Sequence, residues 1–317
     1  MTKENPVLGI IGGGQLGSLL ATAAKKLKIK TIILSDDPKA PAENFCDEII
    51  ITDYNKLKKI DDFIDKVDVV TFEFENIPFK VLEYISKIKS VFPKPSINEI
   101  VQNRFKEKQF VNSEGIKTTD YVLVKNKLDI LKNENLLPAF LKTCTMGYDG
   151  KGQIIINNKD EVDKLNVDFK EEYILEKKIN LKKEISIIIT RFLNKDCLIY
   201  EPIENFHINQ VLSKSIIPAV IDKNIFNQAQ KQAKLLAEKL DYIGTMCVEY
   251  FIDENNNLLL NEVAPRVHNS GHLTINTYNV SQFENHIRAV CNLEKKELNK
   301  NYNAEMINII GEEIKVY

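Results

Sequence analysis

The sequence predicts an α/β fold in which an N-terminal doubly wound parallel sheet precedes a mixed α+β region. Three observations carry that expectation. Over the first hundred residues, short apolar runs at Val7–Ile11, Thr31–Leu34, Glu48–Ile51 and Val69–Phe72 alternate with helical stretches, the βαβ pattern of a parallel sheet. A glycine turn, Gly12–Gly17, joins the first run to the first helix. Farther along, the apolar runs come in hairpin-like pairs, as antiparallel strands do.

Composition bounds the function before any motif is read. The 317 residues are 44% hydrophobic with a formal net charge of −2, enough chain for two or three packed units and no excess charge to attract nucleic acid or an anionic membrane. An anionic ligand must therefore be held by local groups. The five cysteines, at positions 46, 144, 197, 247 and 291, are odd in number and form no Cys-x-x-Cys pair, which argues against a disulfide framework or zinc site and for a reducing compartment. No stretch approaches the ~20 apolar residues that span a bilayer, so a cytoplasmic protein is expected. Only four of the 43 basic residues are arginine. Arg104 and Arg266 fall beside candidate sites, where planar bidentate recognition resists replacement by lysine.

Taken in order, the elements begin with strand, glycine turn and a helix from Ser18 to Leu27. The second strand ends at Asp36 and Asp37, about twenty residues beyond the glycines, so the stretch alone reads as a dinucleotide fingerprint. Any tight βα turn that offers backbone amides to an anion gives the same pattern. A helix from Lys56 to Val67 leads to the strand ending at Phe72, which places Glu73 and Glu75 at a strand's carboxyl end, where open α/β sheets bind ligands. A helix from Ser96 to Ser113 carries Arg104 and Lys108 on one face. The strand Pro138–Lys142, the loop Gly147–Gln153 and the strand Gln153–Ile156 form a glycine-rich phosphate cover with Lys142 before it and Lys151 inside it; no helix follows, so it is not a Walker A loop. Glu172–Glu176 is a further strand, and Lys182–Thr190 begins a hairpin with Cys197–Tyr200. The run from Asn227 to Leu240 reads as an amphipathic helix on this sheet.

The last hairpin concentrates the polar groups. Cys247–Ile252 and Leu258–Val263 flank Asp253–Asn257, and a four-residue tip from Glu254 to Asn257 sets Asp253 opposite Leu258, Phe251 opposite Leu260 and Glu249 opposite Glu262. Facing carboxylates destabilise a strand pair, and a cation relieves them; oxygen ligands of this kind suit Mg²⁺ together with substrate phosphates. A register shifted by a residue or two would turn both glutamates to solvent. The neighbouring Arg266 and His268 favour a site.

Gly12–Gly17, Thr71–Asn76, Gly147–Gln153 and Asn261–His272 together resemble the ATP-grasp superfamily and, within it, the 5-(carboxyamino)imidazole ribonucleotide synthase family of purine biosynthesis, in order from Val7 to about Gly311. The resemblance implies a pre-ATP-grasp domain over 1–105, an ATP-grasp domain over 106–292 divided near 175, and a shortened C-terminal segment over 293–317. For ATP it implies Arg104, Lys142 and the loop Gly147, Tyr148, Asp149, Gly150, Lys151, Gly152 and Gln153 at the phosphates. Glu176 with Lys177, Lys178 and Ile179 would meet adenine, Glu184 the ribose, and His207 the nucleotide. Asn261 and Glu262 would complete the nucleotide site, and Glu249 with Glu262 would hold Mg²⁺. Gln15, Leu16, Glu73, Glu75, Tyr148, Asp149 and Ser270 would meet aminoimidazole ribonucleotide, reversing the dinucleotide reading. Arg266, His268, Asn269 and Lys151 would act on bicarbonate and carboxyphosphate. A homodimer is implied. Family members usually continue past a strand at Met306–Gly311 into a segment with a Pro-Gly-Arg-Lys motif for the ribonucleotide phosphate, whereas this chain ends at Tyr317, so an incomplete acceptor site is expected. The open alternatives are a formate-dependent glycinamide ribonucleotide transformylase, a nucleotide-binding protein impaired at its acceptor site, and a nicotinamide oxidoreductase.

Overall fold

A computed structural model describes residues 5–145, 152–309 and 311. The first sheet holds β1 (Leu8–Ile11), β2 (Thr31–Ser35), β3 (Glu48–Ile51), β4 (Val69–Phe72) and β5 (Ser90–Val91), all parallel in the order β3-β2-β1-β4-β5. β1, β2 and β4 are buried along their whole length, which is why their sequences are apolar almost without alternation. The strand order reverses between β1 and β4. Their carboxyl ends therefore open on a crevice where the glycine turn meets Glu73 and Glu75.

Helices α1 (Gln15–Lys26), α2 (Asp61–Lys66), α3 (Phe79–Ser86) and α4 (Pro95–Val101) accompany this sheet. Two expected helices are interrupted. The one over 56–67 is a 3₁₀ turn, Leu57–Lys59, followed by α2; Asp61 and Asp62 suit a first helical turn, where their charge meets the positive end of the dipole. The one over 96–113 is α4 followed by α5 (Arg104–Ser113), because the Asn103 side chain accepts hydrogen bonds from the Phe105 and Lys106 amides. An asparagine that caps a new helix competes with continuation of the old one. Arg104 thus opens α5.

A four-stranded antiparallel sheet follows, with β6 (Tyr121–Val124), α6 (Lys127–Lys132), β7 (Ala139–Thr143), β8 (Gln153–Ile156) and β9 (Tyr173–Lys177), ordered β6-β9-β7-β8. The third sheet comprises β10 (Leu181–Arg191), β11 (Cys197–Ile199), β12 (Ile203–Ile208), β13 (Val211–Ile217), β14 (Gly244–Asp253), β15 (Leu258–Ala264) and β16 (Ala304–Ile307). Its order is β15-β14-β10-β12-β13-β16, with β11 paired to β10. α7 (Lys223–Lys239) buries Ala229, Ala233, Leu236 and Ala237 in a core shared with Ile187, Met246 and Val248. Of the strand expected at 306–311, β16 covers only 306 and 307, starting two residues earlier and pairing antiparallel with β13.

The β14–β15 register corrects the hairpin count while preserving its result. Ile252 pairs with Leu258 and Phe251 with Leu259, one residue off the expected register. The tip is therefore tighter, with Asn256 at φ +60° supplying the left-handed turn. A bulge between Tyr250↔Leu260 and Glu249↔Glu262 then leaves Asn261 as the extra residue. Two one-residue departures cancel, and the carboxylates face each other.

The short α8 (Thr274–Thr277) leads to α9 (Gln282–Val290), which locks the first sheet to the third. Phe283, Ile287 and Val290 share a core with Leu8, Ile10, Leu20 and Ala24. On the same helix His286, fully buried, has Nε2 2.7 Å from the Thr71 Oγ1 on β4 and accepts the Thr245 amide of β14 at Nδ1, 3.0 Å away. Among the described residues no helix is long and apolar enough to cross a membrane.

Burial lowers His286 from an ordinary 6.5 to about 4, so between those values the unfolded chain binds a proton that the folded chain refuses. Stability contributed by the neutral ring is complete above about pH 6.5 and is lost as pH falls towards 4, by roughly 2 kcal/mol between pH 7 and 5. Denaturant unfolding of the wild type and of His286→Gln at both pH values measures it. The variant should lose less stability on acidification; an identical loss would remove His286 as the source.

Candidate active site

The three sheets enclose a cavity of about 1010 Å³. β14 and β15 form its floor, the β6–β9 sheet overhangs one end, and the first sheet's crevice opens at the other. Gln15, Leu16, Glu75, Arg104, Lys142 and Gln153 line it. So do Glu176, Lys177, Lys178, Ile179, Glu184 and His207, and from the hairpin region Glu249, Asn261, Glu262, Arg266, His268 and Asn269. Residues scattered over 250 positions thus converge. Gly147, Tyr148, Asp149, Gly150 and Lys151 lie outside the described residues. Gly152 sits at φ +77°, where a Cβ would come within 2.8 Å of Thr143 Oγ1, so the chain's turn into β8 requires glycine there.

At the floor, Glu262 accepts a hydrogen bond from Arg104 at 3.1 Å, and Glu249 Oε1 lies 3.4 Å from His268 Nε2. Burial, with the facing Glu262, pushes Glu249 up to about 8. A carboxylate that must otherwise take up a proton is one prepared for a cation, and the pair with its oxygen donors fits a hard divalent ion. Glu107 is buried beside them; its carboxyl accepts the Val263 amide at 2.6 Å and burial pushes it up to about 8 as well.

The overhanging end is a charge cluster. Lys142 Nζ donates to Glu176 Oε2 at 2.8 Å, and the fully buried Lys108 Nζ sits 3.6 Å from Glu176 Oε1 and 3.3 Å from the Asn261 carbonyl. Although burial opposes it, these cations hold Glu176 at about 2. His207 Nδ1 contacts Glu184 Oε2 at 2.8 Å; burial works against protonation of this ring, but the Glu184 contact raises its pKa. Glu107 is an addition that the motif reading missed, and Lys108, placed on one face with Arg104 by the sequence, joins the site with it. Their signal was spacing: three and four residues after Arg104 they share its helical face.

At the crevice the structure separates the two glutamates. Glu73 is not on the cavity wall. Its carboxylate turns back to accept the Gly14 and Gly17 amides at 2.7 and 2.8 Å, and a Cβ on Gly12 or Gly14 would strike it. The anion cradle of the glycine turn is filled by the protein's own carboxylate, which corrects the expectation for Glu73 and leaves no place for a dinucleotide pyrophosphate. Glu75 faces the cavity instead. Its backbone carbonyl is held by Asn98 and Gln102 at 2.9 and 2.6 Å, and its carboxylate accepts from Arg266 Nε. Although burial opposes it, the Arg266 guanidinium holds this carboxyl below its ordinary range.

Ser270 is corrected likewise: fully buried, it lies behind His268, with Oγ 2.9 Å from His268 Nδ1. Burial, reinforced by Arg266, keeps the His268 ring neutral, well below the usual imidazole value. Asn269 Oδ1 and His272 Nε2 are buried at the cavity without a hydrogen-bond partner among the described residues, so a polar ligand would satisfy them.

Burial and the facing Glu262 push Glu249 up to about 8, so a divalent cation held by this pair would have to displace a proton. If Glu249 and Glu262 hold Mg²⁺, its affinity should rise by about tenfold or more from pH 6.5 to 8.5 and level off above. Calorimetric titration with Mg²⁺ in the presence of ADP, in buffers of different ionisation enthalpy, reads both the affinity and the released proton. A pH-independent affinity would place the proton elsewhere.

Comparison with known proteins agrees with this architecture. The ribonucleotide synthetase preATP-grasp domain model matches residues 6–102, and the ATP-grasp domain model matches residues 109–283. N5-carboxyaminoimidazole ribonucleotide synthase of Bacillus subtilis is 38% identical over 98% of this chain and 82% of its own length, and that of Brucella melitensis is 37% identical over 98% and 88%. An N5-carboxyaminoimidazole ribonucleotide synthetase solved as its ADP complex superposes with a TM-score of 0.94 at 38% identity, covering 98% of this chain and 83% of that one. The Aspergillus clavatus synthase, solved with ADP and 5-aminoimidazole ribonucleotide, gives 0.88 at 26% identity, covering 97% and 82%. With two domain models in order and relatives matched along nearly its whole length, the chain belongs to the N5-carboxyaminoimidazole ribonucleotide synthase family of ATP-grasp proteins.

Proposed function

We propose that this chain carries out the ATP-dependent carboxylation of 5-aminoimidazole ribonucleotide in purine biosynthesis, forming a C–N bond with release of ADP and phosphate. The observation that carries it is the continuity of one cavity, which joins the Lys142–Glu176 cluster, the Glu249–Glu262 pair and the Glu75–Arg266 crevice. Bicarbonate as the carboxyl source, Mg²⁺ as the metal, a homodimer as the assembly and the cytoplasm as the location belong to this proposal.

In it, a bicarbonate oxygen attacks the γ-phosphorus and ADP leaves, giving carboxyphosphate. The amine nitrogen of the ribonucleotide then attacks the carboxyl carbon, phosphate leaves, and the nitrogen sheds one proton. Arg104 and Lys142 hold ATP phosphates, together with the loop that contains Lys151; Glu176 to Ile179 take the adenine, and Glu184 with His207 the ribose. Glu249 and Glu262 would hold Mg²⁺, which when bound neutralises charge on the transferring phosphoryl group. Arg266 lies between the two halves. Paired with Glu75 on the acceptor side, it supplies fixed positive charge to carboxyphosphate, while His268 and Asn269 orient the carboxyl group. The crevice formed by Gln15, Leu16 and Glu75 receives the ribonucleotide. A nicotinamide reading is disfavoured by Glu73 in the glycine cradle.

Omitting each substrate in turn tests this. Full ADP release should need both bicarbonate and the ribonucleotide, and formate with glycinamide ribonucleotide should not replace them. Release with the latter pair would reassign the acceptor. Arg266→Lys should lower kcat about tenfold or more while changing the KM for ATP less than about threefold, because fork geometry matters most as charge develops. Steady-state kinetics decide it, and an unaltered kcat would make Arg266 a structural partner of Glu75 only.

A further inference from the structure

Behind His268 a line of small polar side chains runs into the core of the third sheet. His268 Nδ1 lies 2.9 Å from Ser270 Oγ, which lies 2.8 Å from Ser186 Oγ on β10. Asn205 Nδ2 on β12 donates to Ser186 Oγ at 3.0 Å, and Ser215 Oγ on β13 donates to Asn205 Oδ1 at 2.8 Å. All four residues behind the histidine are at most 5% exposed, and none lines the cavity. Four buried polar groups in one file are costly unless each is satisfied, and here each is satisfied by the next.

We propose that Ser270, Ser186, Asn205 and Ser215 are positioning residues whose hydrogen-bond relay holds His268 as its neutral Nε2–H tautomer, with that proton facing the cavity. The relay could in principle run either way. From Ser215 through Asn205, Ser186 and Ser270, every hydroxyl donates forward and Nδ1 receives. With the Asn205 amide reversed, Nδ1–H would donate and the file would run outward. The Ser270 backbone amide breaks the tie, since it points at Nδ1 from 3.3 Å and can only donate. With Nδ1 accepting from that amide, the ring carries its proton on Nε2.

This rests on the proposed function, in which the cavity beside His268 receives bicarbonate and carboxyphosphate. Those ligands are anions, which an N–H attracts and an imidazole lone pair repels. A neutral donor whose tautomer is fixed from behind needs no added charge beside Arg266.

Histidine-selective ¹⁵N labelling with Mg²⁺ and ADP bound shows which ring nitrogen is protonated; the chain has four histidines, and loss of a signal in His268→Asn assigns the ring. Wild type should show Nε2–H. Ser270→Ala, which removes the 2.9 Å hydroxyl contact and leaves only the longer 3.3 Å amide contact at Nδ1, should admit some Nδ1–H form beside Nε2–H and lower kcat about tenfold, the scale of one neutral hydrogen bond, without changing the KM for ATP. Ser186→Ala, which touches neither His268 nor the cavity, should lower kcat about threefold on the same reasoning, and Ser186→Thr should restore it. An ADP-induced thermal shift equal to wild type establishes that the variants fold. Nδ1–H in the wild type, or an unchanged tautomer and kcat in Ser270→Ala, would overturn the relay. A tautomer that shifts while kcat holds would support the relay and overturn the role of His268 in the reaction, so the two failures are distinguishable.

Discussion

Two carboxylates on adjacent antiparallel strands, Glu249 and Glu262, impose the constraint around which the remaining structure is arranged. Like charges at this spacing oppose strand pairing, and burial multiplies the cost. Several surrounding elements bring groups to it. The break at Asn103 lets α5 present Arg104 to Glu262, while the same helix adds Glu107, a third buried carboxyl that accepts the Val263 amide and is raised by burial and by Glu262. His268 approaches Glu249 from the chain after β15. The bulge at Asn261 frees a backbone carbonyl for Lys108. Burial and the facing Glu262 still leave Glu249 with a raised affinity for a proton.

The glycine turn shows how one side chain redirects a common motif. A helix N-terminus with exposed amides attracts an anion, and in this chain the anion is internal. Glu73 saturates the amides of Gly14 and Gly17, so the turn becomes a rigid wall. Two residues later the chain has left β4 and turns, and Glu75 faces the cavity and pairs with Arg266. On a continuing strand residues two apart would share a face; the bend after Phe72 is what divides the two glutamates into a buried structural one and a cavity-facing one.

These features work together because the three sheets are held at fixed positions. α9 shares a core with the first sheet and contacts β14 through His286, so the crevice and the carboxylate hairpin cannot separate without exposing apolar surface and unpairing a buried imidazole. Phosphoryl transfer depends on placing fixed charges rather than on covalent participation. A cavity walled by three interlocked sheets supplies that placement.

The sequence by itself determined the parallel N-terminal sheet, the antiparallel pairs that follow, and the motifs that resemble the ATP-grasp superfamily, because hydrophobic period and glycine placement are local properties of the chain. It also brought Glu249 opposite Glu262, although through a tip and a bulge that counting did not foresee. Tertiary structure alone decided which of Glu73 and Glu75 faces the cavity, since that depends on amides 56 and 59 residues away. It decided that Ser270 supports His268 from behind, a matter of strands β10, β12 and β13 stacking their small polar residues in line. It also decided that Glu107 and Lys108 join the site, because helical spacing marks a shared face and only packing of α5 against β15 says what that face meets.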